Sequence, residues 1–321
     1  MIKFKILVTG ASGRVGRHLV NALLTKGEQV KALVMDRTKI KERKNLEIFQ
    51  GNLLDKSSLK GAVRDVDTIY HLAACVDYLA PKKLMFAVNV EGTKNLLDVA
   101  TGKKTIYLSS TAVMGKKIKI PADEQSKCKP DNYYGLTKLL AEQAALKAGA
   151  IVIRSVDVFG PGFEEGYNLV ISGLKGGNLP IIGSGKNLIQ YIHIDDLIQA
   201  LLLARKKGKA GEVYLVAGPD AKTLEECWEI LCKYLCVNPP RKHIPILFAK
   251  MLAYISIIKA KVGGKRPELI PEYIDKIAAN RTFNITKARK ELGYKPKISY
   301  EQGIKEMIKG YKSYYGKKRK K

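Results

Sequence analysis

The first 34 residues combine a buried strand, a glycine-rich turn, a helix and a second buried strand. Apolar residues dominate 5–9, and the turn Gly10-Ala11-Ser12-Gly13-Arg14-Val15-Gly16 leads into a helical pattern that stops at Gly27. A second apolar run occupies 30–34. A strand, helix and strand in this order form a βαβ unit with parallel strands and a right-handed crossover. This opening therefore directs the chain toward a parallel α/β sheet.

The same alternation continues for another 120 residues and predicts an α/β fold with a doubly wound (Rossmann) parallel sheet. The predicted strands are 46–49, 68–72, 104–109 and 150–154, and the predicted helices are 57–63, 84–100 and 133–147. Beyond Gly160 the pattern loosens. Strands at 190–194 and 212–216, on either side of a helix at 196–205, are expected to return to the sheet.

The later part of the sequence predicts a small, mostly helical lobe that caps the substrate site at the carboxyl edge of the sheet. We assign 1–163 and 189–216 to the Rossmann domain, 164–188 and 217–315 to the capping lobe, and 316–321 to a basic tail. An apolar helix within 244–258 is expected to pack inside the cap and line the substrate pocket. Its peripheral attachment to a membrane, together with the tail, is the less favoured alternative.

The glycine spacing in the first turn suits a dinucleotide. The first glycine permits the tight turn, the second lets the main chain approach a pyrophosphate, and the third lets helix and strand pack closely. The helix amino terminus offers N–H groups and a positive dipole end to the phosphates. The predicted contacts of this loop are Gly10, Ser12, Gly13, Arg14, Val15 and Gly16.

The end of the second strand selects between NAD and NADP. An acidic side chain there binds the ribose 2′-hydroxyl of NAD, and a basic one accommodates the 2′-phosphate of NADP. The positions where an acid is expected hold Val34 and Met35, and Asp36 follows late, beside Arg37 and near Lys39 and Arg14. These cations favour NADP, with NAD as the alternative.

Tyr134 and Lys138 lie four residues apart at the start of the predicted helix, so they share one face. A nearby ammonium favours phenolate, so we expect Lys138 to lower the tyrosine pKa. The pair could then exchange a proton with a carbinol oxygen. Upstream, Ser109-Ser110-Thr111 ends a strand in hydroxyl groups that could hold the same oxygen. For Ser109 we favour a turn-capping role.

Taken together, these motifs resemble those of the extended short-chain dehydrogenase/reductase family, which includes the NAD-dependent epimerases and dehydratases. The resemblance also covers segments 51–55, 71–74, 89–93, 154–162, 183–196 and 288–294. It implies that Ser110 is a catalytic hydroxyl, Tyr134 the acid–base and Lys138 its partner, which also bonds the nicotinamide ribose. It further implies that Asn52, Leu53, Leu72, Ala73, Ala74, Asn89 and Val156 contact the cofactor.

Three departures from the family pattern bear on the ligands, one on the cofactor and two on the substrate. Asn52 stands where an aspartate is usual, and an amide can still bond adenine. Nucleotide-sugar members commonly use an asparagine and an arginine for the substrate diphosphate, and here these positions hold Asp157 and Ile189. The apolar segment 244–273 is similar to the branch of 3β-hydroxysteroid dehydrogenases and dihydroflavonol 4-reductases. The resemblance therefore implies an oxidoreductase acting on an apolar alcohol or ketone.

Two other functions stay open. A nucleotide-sugar epimerase or dehydratase on the same fold could take its phosphate contacts from the surplus of lysines. A dinucleotide-sensing binding protein without catalysis could also use this fold. The complete Ser110, Tyr134 and Lys138 set argues against the second.

The net charge of +27 attracts anions such as nucleotides, nucleic acid or acidic lipid. The lysines are nevertheless spread along the chain, and no nucleic-acid motif accompanies them, so no specific nucleic-acid partner is expected. The five cysteines include no Cys-x-x-Cys pair. This favours reduced thiols in a cytoplasmic protein and no metal site. The sequence leaves the oligomeric state open, with a homodimer as one alternative.

Overall fold

The structure, a computed structural model, describes residues 6–318 of the 321-residue chain, and the side chains of residues 6–311. The predicted basic tail at 316–321 therefore lies outside the described side chains. The strands are β1 Ile6–Thr9, β2 Val30–Val34, β3 Leu46–Gln50, β4 Thr68–His71, β5 Lys104–Ser110, β6 Ile151–Ser155, β7 Asp157–Phe159, β8 Ile181–Ile182, β9 Leu188–His193, β10 Val213–Val216, β11 Ala221–Thr223 and β12 His243–Ile244.

Helices follow the strands in the order expected for a βαβ chain. They are α1 Arg14–Thr25, α2 Lys56–Val63, α3 Lys82–Phe86, α4 Gly92–Val99, α5 Tyr133–Lys147, α6 Asn168–Lys175, α7 Ile194–Lys207, α8 Leu224–Leu235, α9 Ile246–Val262, α10 Pro271–Ala278 and α11 Tyr300–Lys318. A π-helical turn at Ala87–Glu91 connects α3 to α4, so the long helix predicted over 84–100 is present with a widened turn inside it.

Seven parallel strands form the central sheet in the order β10-β6-β5-β4-β1-β2-β3. Every residue of β1 and β2 is buried, which is typical of parallel strands covered by helices on both faces. The strand order reverses beside β1, which pairs with β2 on one side and β4 on the other. Ligands of such sheets bind beyond the carboxyl ends of the strands at this reversal. The doubly wound fold predicted from the sequence is confirmed.

The strand predicted at 190–194 does not return to the central sheet. It is β9, which pairs in parallel with β7 and antiparallel with β11 in a separate three-stranded sheet. The outer edge of β6 is already occupied by β10. An apolar strand pattern indicates burial and does not say which sheet the strand joins, and this explains the error.

The part of the chain beyond β9 is mainly helical, as expected. Helices α6, α8 and α11 enclose a second apolar cluster, which includes Ile171, Trp228, Leu231 and Met307. Phe159 of β7 and Ile189 of β9 belong to the same cluster, so the three-stranded sheet forms its floor. Because β7 begins two residues after the end of β6, this lobe adjoins the carboxyl end of that strand.

The apolar helix predicted to pack inside the cap forms, as α9, but its location differs from the prediction. Only Ala249 and Ala253 are buried, and they pack against Ile274 of α10. Large apolar side chains on the opposite side face solvent; Leu247 is 80% exposed and Val262 is 85% exposed. Apolar composition predicted burial, whereas small residues occupy the one face that contacts the protein.

Candidate active site

The glycine loop at the carboxyl end of β1 is shaped by close main-chain contacts. Gly10 has a φ of +67°, and a Cβ at this position would lie 2.8 Å from the backbone of Ala73. A Cβ at Gly16 would lie 2.1 Å from the carbonyl oxygen of Gly10. Only glycine fits either position. Helix α1 starts here with no side-chain cap and no acidic residue in its first turn. Its amino terminus therefore suits an anionic group.

The other residues predicted to contact the cofactor in this loop differ in exposure. Gly13 and Arg14 are exposed, whereas Ser12 and Val15 are half-buried. The guanidinium of Arg14 lies 5.7 Å from the ring centroid of Phe163, the residue directly before the predicted cap. Arg14 thus reaches toward the cap.

The edge of the sheet beyond β2 carries the residues predicted to select the cofactor. One carboxylate oxygen of Asp36 accepts bonds from the main-chain N–H and the hydroxyl of Thr38, at 2.9 and 2.7 Å. These bonds hold the pKa of Asp36 below its usual value. Arg37 begins the short 3₁₀ helix that Asp36 caps, and its side chain is exposed. The acid is engaged locally, while the arginine faces solvent.

Two residues of the predicted adenine segment have local structural partners. The side-chain oxygen of Asn52 accepts a 3.0 Å bond from the N–H of Leu54. Leu53 is buried among the apolar side chains beneath the sheet, and its carbonyl accepts a bond from Asn95. Because most main-chain groups of this turn bond other protein groups, the Asn52 amide nitrogen is the group of this segment that we predict to bond adenine.

The loop after β4 lies against the glycine loop and is fixed by a buried histidine. His71 bonds Thr9 at 2.8 Å through Nδ1 and Thr93 at 2.9 Å through Nε2. Burial lowers the pKa of His71 to about 3, so it stays neutral at physiological pH. The hydroxyl of Thr9 also accepts a bond from the N–H of Ala73, which positions the run Leu72-Ala73-Ala74 beside Gly10.

Asn89 and Val156 were both predicted to contact the cofactor. The amide of Asn89 bonds the main chain of Cys75 twice, at 2.6 and 3.0 Å, and the hydroxyl of Thr137 at 3.0 Å. It therefore connects the loop after β4 to α5 and positions groups around the cofactor site. Val156 is buried at the carboxyl end of β6, and its N–H donates to the carbonyl of Val216.

Tyr134 lies in the first turn of α5. Asn132 caps this helix, accepting a 2.8 Å bond from the N–H of Gly135. Burial raises the pKa of Tyr134 well above its usual value, and a hydrogen bond with Ser110 acts in the opposite direction. The expected lowering by Lys138 is absent, because burial of the phenol dominates and the ammonium bonds other groups.

Lys138 lies beneath Tyr134 on the same face of α5 and is 3% exposed. Its Nζ donates a 2.7 Å bond to the carbonyl of Leu108 and lies 4.2 Å from the ring centroid of Tyr107. Burial lowers the pKa of Lys138 to about 7, and the Glu142 carboxylate opposes this shift. The lysine can therefore gain or lose a proton near neutral pH.

The two serines at the end of β5 have different partners, and the turn-capping role expected of Ser109 belongs to Ser110. Ser110 caps the short helix that follows, accepting a 3.2 Å bond from the N–H of Ala112. Its neighbour Ser109 does not cap a turn; it donates a 2.5 Å bond to the buried carboxylate of Glu142. Successive side chains of a strand point to opposite faces, and this separates the two hydroxyls. Only Ser110 faces Tyr134.

A buried ion pair under the site was not found from the sequence. Arg154 of β6 donates to both oxygens of Glu142, with the shortest contact at 2.5 Å, and to the carbonyl of Glu124 at 3.1 Å. Glu142 is one turn beyond Lys138 on α5. An acid four residues after a predicted catalytic lysine lies on the same helix face, and this spacing was the signal that the sequence offered. The pair locks α5 against β6 and thereby fixes the position of Lys138.

Aromatic rings line the outer side of Tyr134. The ring of Tyr78 lies 5.6 Å from that of Tyr134, and Tyr273 meets Tyr78 edge-on at 6.0 Å. Tyr78 comes from the loop after β4 and Tyr273 from α10. They are far apart in sequence, so no local pattern could have brought them to one wall.

The two positions that depart from the nucleotide-sugar pattern are now located. Asp157 pairs with Lys276 at 2.9 Å and Arg281 at 3.4 Å, and these cations keep its pKa below the usual value. The negative charge of Asp157 is therefore compensated in part by two cations of the protein itself. Ile189 is 3% exposed within the cap cluster and offers no polar atom to a ligand.

The described residues fit a dinucleotide. A Cβ would close the turn at Gly10 and Gly16, the amino terminus of α1 has no side-chain cap, and the neighbouring loop is held in register by His71 and Thr9. The fold and this loop define a nucleotide-binding enzyme of the short-chain dehydrogenase/reductase type.

The model of the NAD dependent epimerase/dehydratase family matches residues 6–217, and the chain belongs to this family. A Sinorhizobium fredii protein described as uncharacterized is 30% identical over 96% of this chain and 78% of its own length. The mouse sterol-4-alpha-carboxylate 3-dehydrogenase, decarboxylating, is 26% identical, covering 96% of this chain and 91% of the relative. The 3-beta-hydroxysteroid dehydrogenase of Mycolicibacterium neoaurum is 27% identical with the same coverages.

A solved structure has the same fold. The UDP-glucuronic acid 4-epimerase from Bacillus cereus in complex with NAD is 22% identical, with a TM-score of 0.77 over 97% of this chain and 100% of the other. At this level of identity the likeness concerns the fold.

Proposed function

We propose that this enzyme moves a hydride between a nicotinamide dinucleotide and an alcohol or ketone of an apolar substrate. The observation that carries the proposal is the aromatic wall of Tyr78 and Tyr273 beside the phenol of Tyr134. Rings of this kind contribute apolar contact area and a polar edge, which suits a bulky apolar ring system. The names of the mouse and Mycolicibacterium relatives, both dehydrogenases, support it.

The groups around Asp157 support the same substrate class. Lys276 and Arg281 could bind a diphosphate, but the carboxylate of Asp157 already neutralises part of their charge. A diphosphate would have to displace this anion or bind close to it. Since like charges at such a distance are unfavourable, a nucleotide sugar is the less favoured substrate.

Tyr134 would act as the general acid when a ketone is reduced. Its raised pKa keeps the phenol protonated at neutral pH, so it can donate a proton to the oxygen of the substrate. The Ser110 hydroxyl would hold that oxygen, and Lys138, whose pKa is about 7, would be the group that resupplies the proton. The bound nicotinamide would supply or accept the hydride.

We propose NADP as the preferred cofactor within this NAD-dependent family. Arg37 is exposed at the carboxyl end of β2, while the carboxylate of Asp36 is engaged with Thr38. The 2′-phosphate of NADP would gain an ion pair with the guanidinium of Arg37. Titration of NADPH and NADH into the wild type and Arg37→Gln tests this. Loss of affinity for NADPH alone is expected, whereas equal affinities in the wild type would contradict the proposal.

The deciding experiment is a substrate screen followed at the nicotinamide absorbance. Apolar cyclic ketones with NADPH or NADH should be reduced, and the same compounds should protect the enzyme against heat unfolding. Protection by UDP- or dTDP-sugars alone would indicate an epimerase or dehydratase. Cofactor binding without turnover of any carbonyl compound would indicate a dinucleotide-sensing protein.

A further inference from the structure

Helix α9 has its apolar residues on the side that faces away from the protein. The fully buried residues on the face that contacts the protein are Ala249 and Ala253. Opposite it lies a stripe at helical spacing whose side chains are all exposed: Leu247, Met251, Tyr254, Ile258 and Val262. An ordinary surface helix turns its apolar stripe inward. The orientation of α9 therefore needs a partner that covers this stripe, referred to below as the outer stripe.

The helix is firmly attached to the body of the protein, so its exposure is not the result of a detached segment. Lys250 pairs with Asp275 of α10 at 2.7 Å, and Lys116 pairs with the same carboxylate at 2.9 Å. Ala249 and Ala253 pack against Ile274. These contacts fix the rotation of α9 and hold the outer stripe toward solvent.

The charge around α9 has one sign. No aspartate or glutamate occurs from residue 230 to residue 267, whereas the same stretch contains Lys233, Arg241, Lys242, Lys250, Lys259, Lys261, Lys265 and Arg266. Lys259, Lys261 and Lys265 make no ion pair within the described part of the chain. An exposed apolar stripe flanked by lysines complements an anionic lipid surface, where the lysine stems can lie along the acyl boundary and the ammonium groups among the headgroups.

A groove of about 380 Å³ runs beside the second half of α9. Its lining combines the apolar side chains of Leu252 and Ile255 with the cations Lys259, Lys265 and Arg266. This pairing of apolar and cationic groups matches an acyl chain joined to an acidic headgroup.

The same end of α9 lies next to the candidate active site. Arg266, which follows the helix, forms an ion pair with Asp77, and the next residue, Tyr78, contacts the ring of Tyr134. A surface seated on lipid through α9 would therefore bring the entrance of the site to the edge of the bilayer.

We propose that α9 is a membrane-docking surface, on which the protein binds reversibly to anionic lipid bilayers with the outer stripe in the interfacial region. No helix among the described residues is long and apolar enough to cross a membrane. Because the outer stripe runs along one side of α9, the helix would lie in the plane of the interface. This inference rests on the surface alone and does not depend on the proposed reaction.

Flotation of the full-length protein with vesicles tests the proposal without any substrate. We expect binding to phosphatidylcholine vesicles that contain phosphatidylserine, little binding to phosphatidylcholine alone, and release in molar salt. The variant Leu247→Gln/Ile258→Gln should lose roughly tenfold in affinity. The matched control is Leu169→Gln, which changes an exposed leucine of α6 and should bind as the wild type does.

A second pair of variants tests the role of charge. Lys259→Gln/Lys261→Gln should lose roughly tenfold in affinity for the anionic vesicles. Lys305→Gln/Lys309→Gln removes the same charge from α11 and should retain binding. Equal losses in both pairs would point to net charge alone and would overturn the assignment to α9.

The competing occupant of the outer stripe is a second copy of this chain. Sedimentation of the wild type and of Leu247→Gln/Ile258→Gln distinguishes the two. A monomer in both supports the lipid surface. A wild-type homodimer that the variant converts to a monomer would overturn it in favour of an interface between copies, as would the absence of any preference for anionic vesicles.

Discussion

The ammonium of Lys138 donates its hydrogen bond to the main-chain carbonyl of Leu108, at 2.7 Å. The strand that ends in Ser110 therefore fixes the lysine, and the lysine does not bond the phenol one turn earlier on α5. Because the ammonium is buried, its pKa falls to about 7, while burial of Tyr134 raises the phenol pKa. Before ketone reduction, Tyr134 therefore carries its proton and can act as the acid.

Replacing Tyr134 by phenylalanine should lower kcat by a factor of about 10²–10⁴, because the general acid is lost. Dinucleotide affinity, measured by fluorescence titration, should change little, since the glycine loop is untouched. Tyr133→Phe is the matched control, because it alters the neighbouring tyrosine, which stacks on Lys82. Full activity in Tyr134→Phe would refute the assigned role.

The buried ammonium should leave a signature in the pH dependence of stability. The folded-state pKa of Lys138, about 7, lies below its ordinary value of 10.5, so the folded protein binds fewer protons between these pH values. Burial of the ammonium therefore destabilises the folded protein fully below pH 7, and this destabilisation disappears as the pH rises toward 10.5. Across that window the wild type should gain about 1.4 kcal/mol per pH unit relative to Lys138→Met.

Urea unfolding of both proteins at pH 7, 8 and 9 measures this difference. Lys147→Met changes an exposed lysine of the same helix and is the control. Its free energy of unfolding should change with pH as that of the wild type does. Parallel curves for the wild type and Lys138→Met would show that the lysine keeps its ordinary pKa in the fold.

Neutralising Glu142 should destabilise the protein by about 3–5 kcal/mol, because Arg154 would be left as a buried charge without its partner. The expected readout for Glu142→Gln is a lower midpoint of urea unfolding. Glu91→Gln removes a carboxylate from an exposed pair with Lys94 and should change stability by no more than about 1 kcal/mol. Similar effects in both variants would contradict the structural role of the buried pair.

A methyl group at Gly16 should abolish dinucleotide binding while the protein still folds. The added Cβ would lie 2.1 Å from the carbonyl of Gly10, so the loop must open and lose its fit to the pyrophosphate. Calorimetric titration with NADH and NADPH measures the loss. Gly166→Ala is the control, since the nearest atom to its Cβ is 3.9 Å away on a flexible arginine. Unchanged affinity in Gly16→Ala would place the phosphates elsewhere.

Removing the charge of Asp157 should create affinity for a diphosphate. In Asp157→Asn the cations Lys276 and Arg281 lose the anion that neutralises them, so UDP should bind at least roughly tenfold more tightly than to the wild type. The stabilisation by UDP against heat reports this gain. Asp98→Asn, on an exposed pair with Lys56, should show none. A wild type that already binds UDP as tightly would favour a nucleotide-sugar substrate.

The local parts of the site were predictable from short stretches of sequence. The turn from Gly10 to Gly16 and the pair Tyr134 and Lys138 each belong to one element, so spacing alone brings their residues together. The aromatic wall was not predictable, because Tyr78 and Tyr273 are separated by nearly two hundred residues and meet only when α10 docks. The partners of Asp157 were missed for the same reason.

By itself the sequence determined the doubly wound sheet, because periodicity and glycine positions are local and each strand needs burial on both faces. The tertiary structure decided where β9 pairs, which groups shift the pKa of Tyr134, and which side of α9 faces solvent. Each of these depends on neighbours that are distant in sequence. The apolar composition of α9 predicts a buried helix. Only the packing of Ala249 and Ala253 against α10 determines which face is buried and which face is exposed.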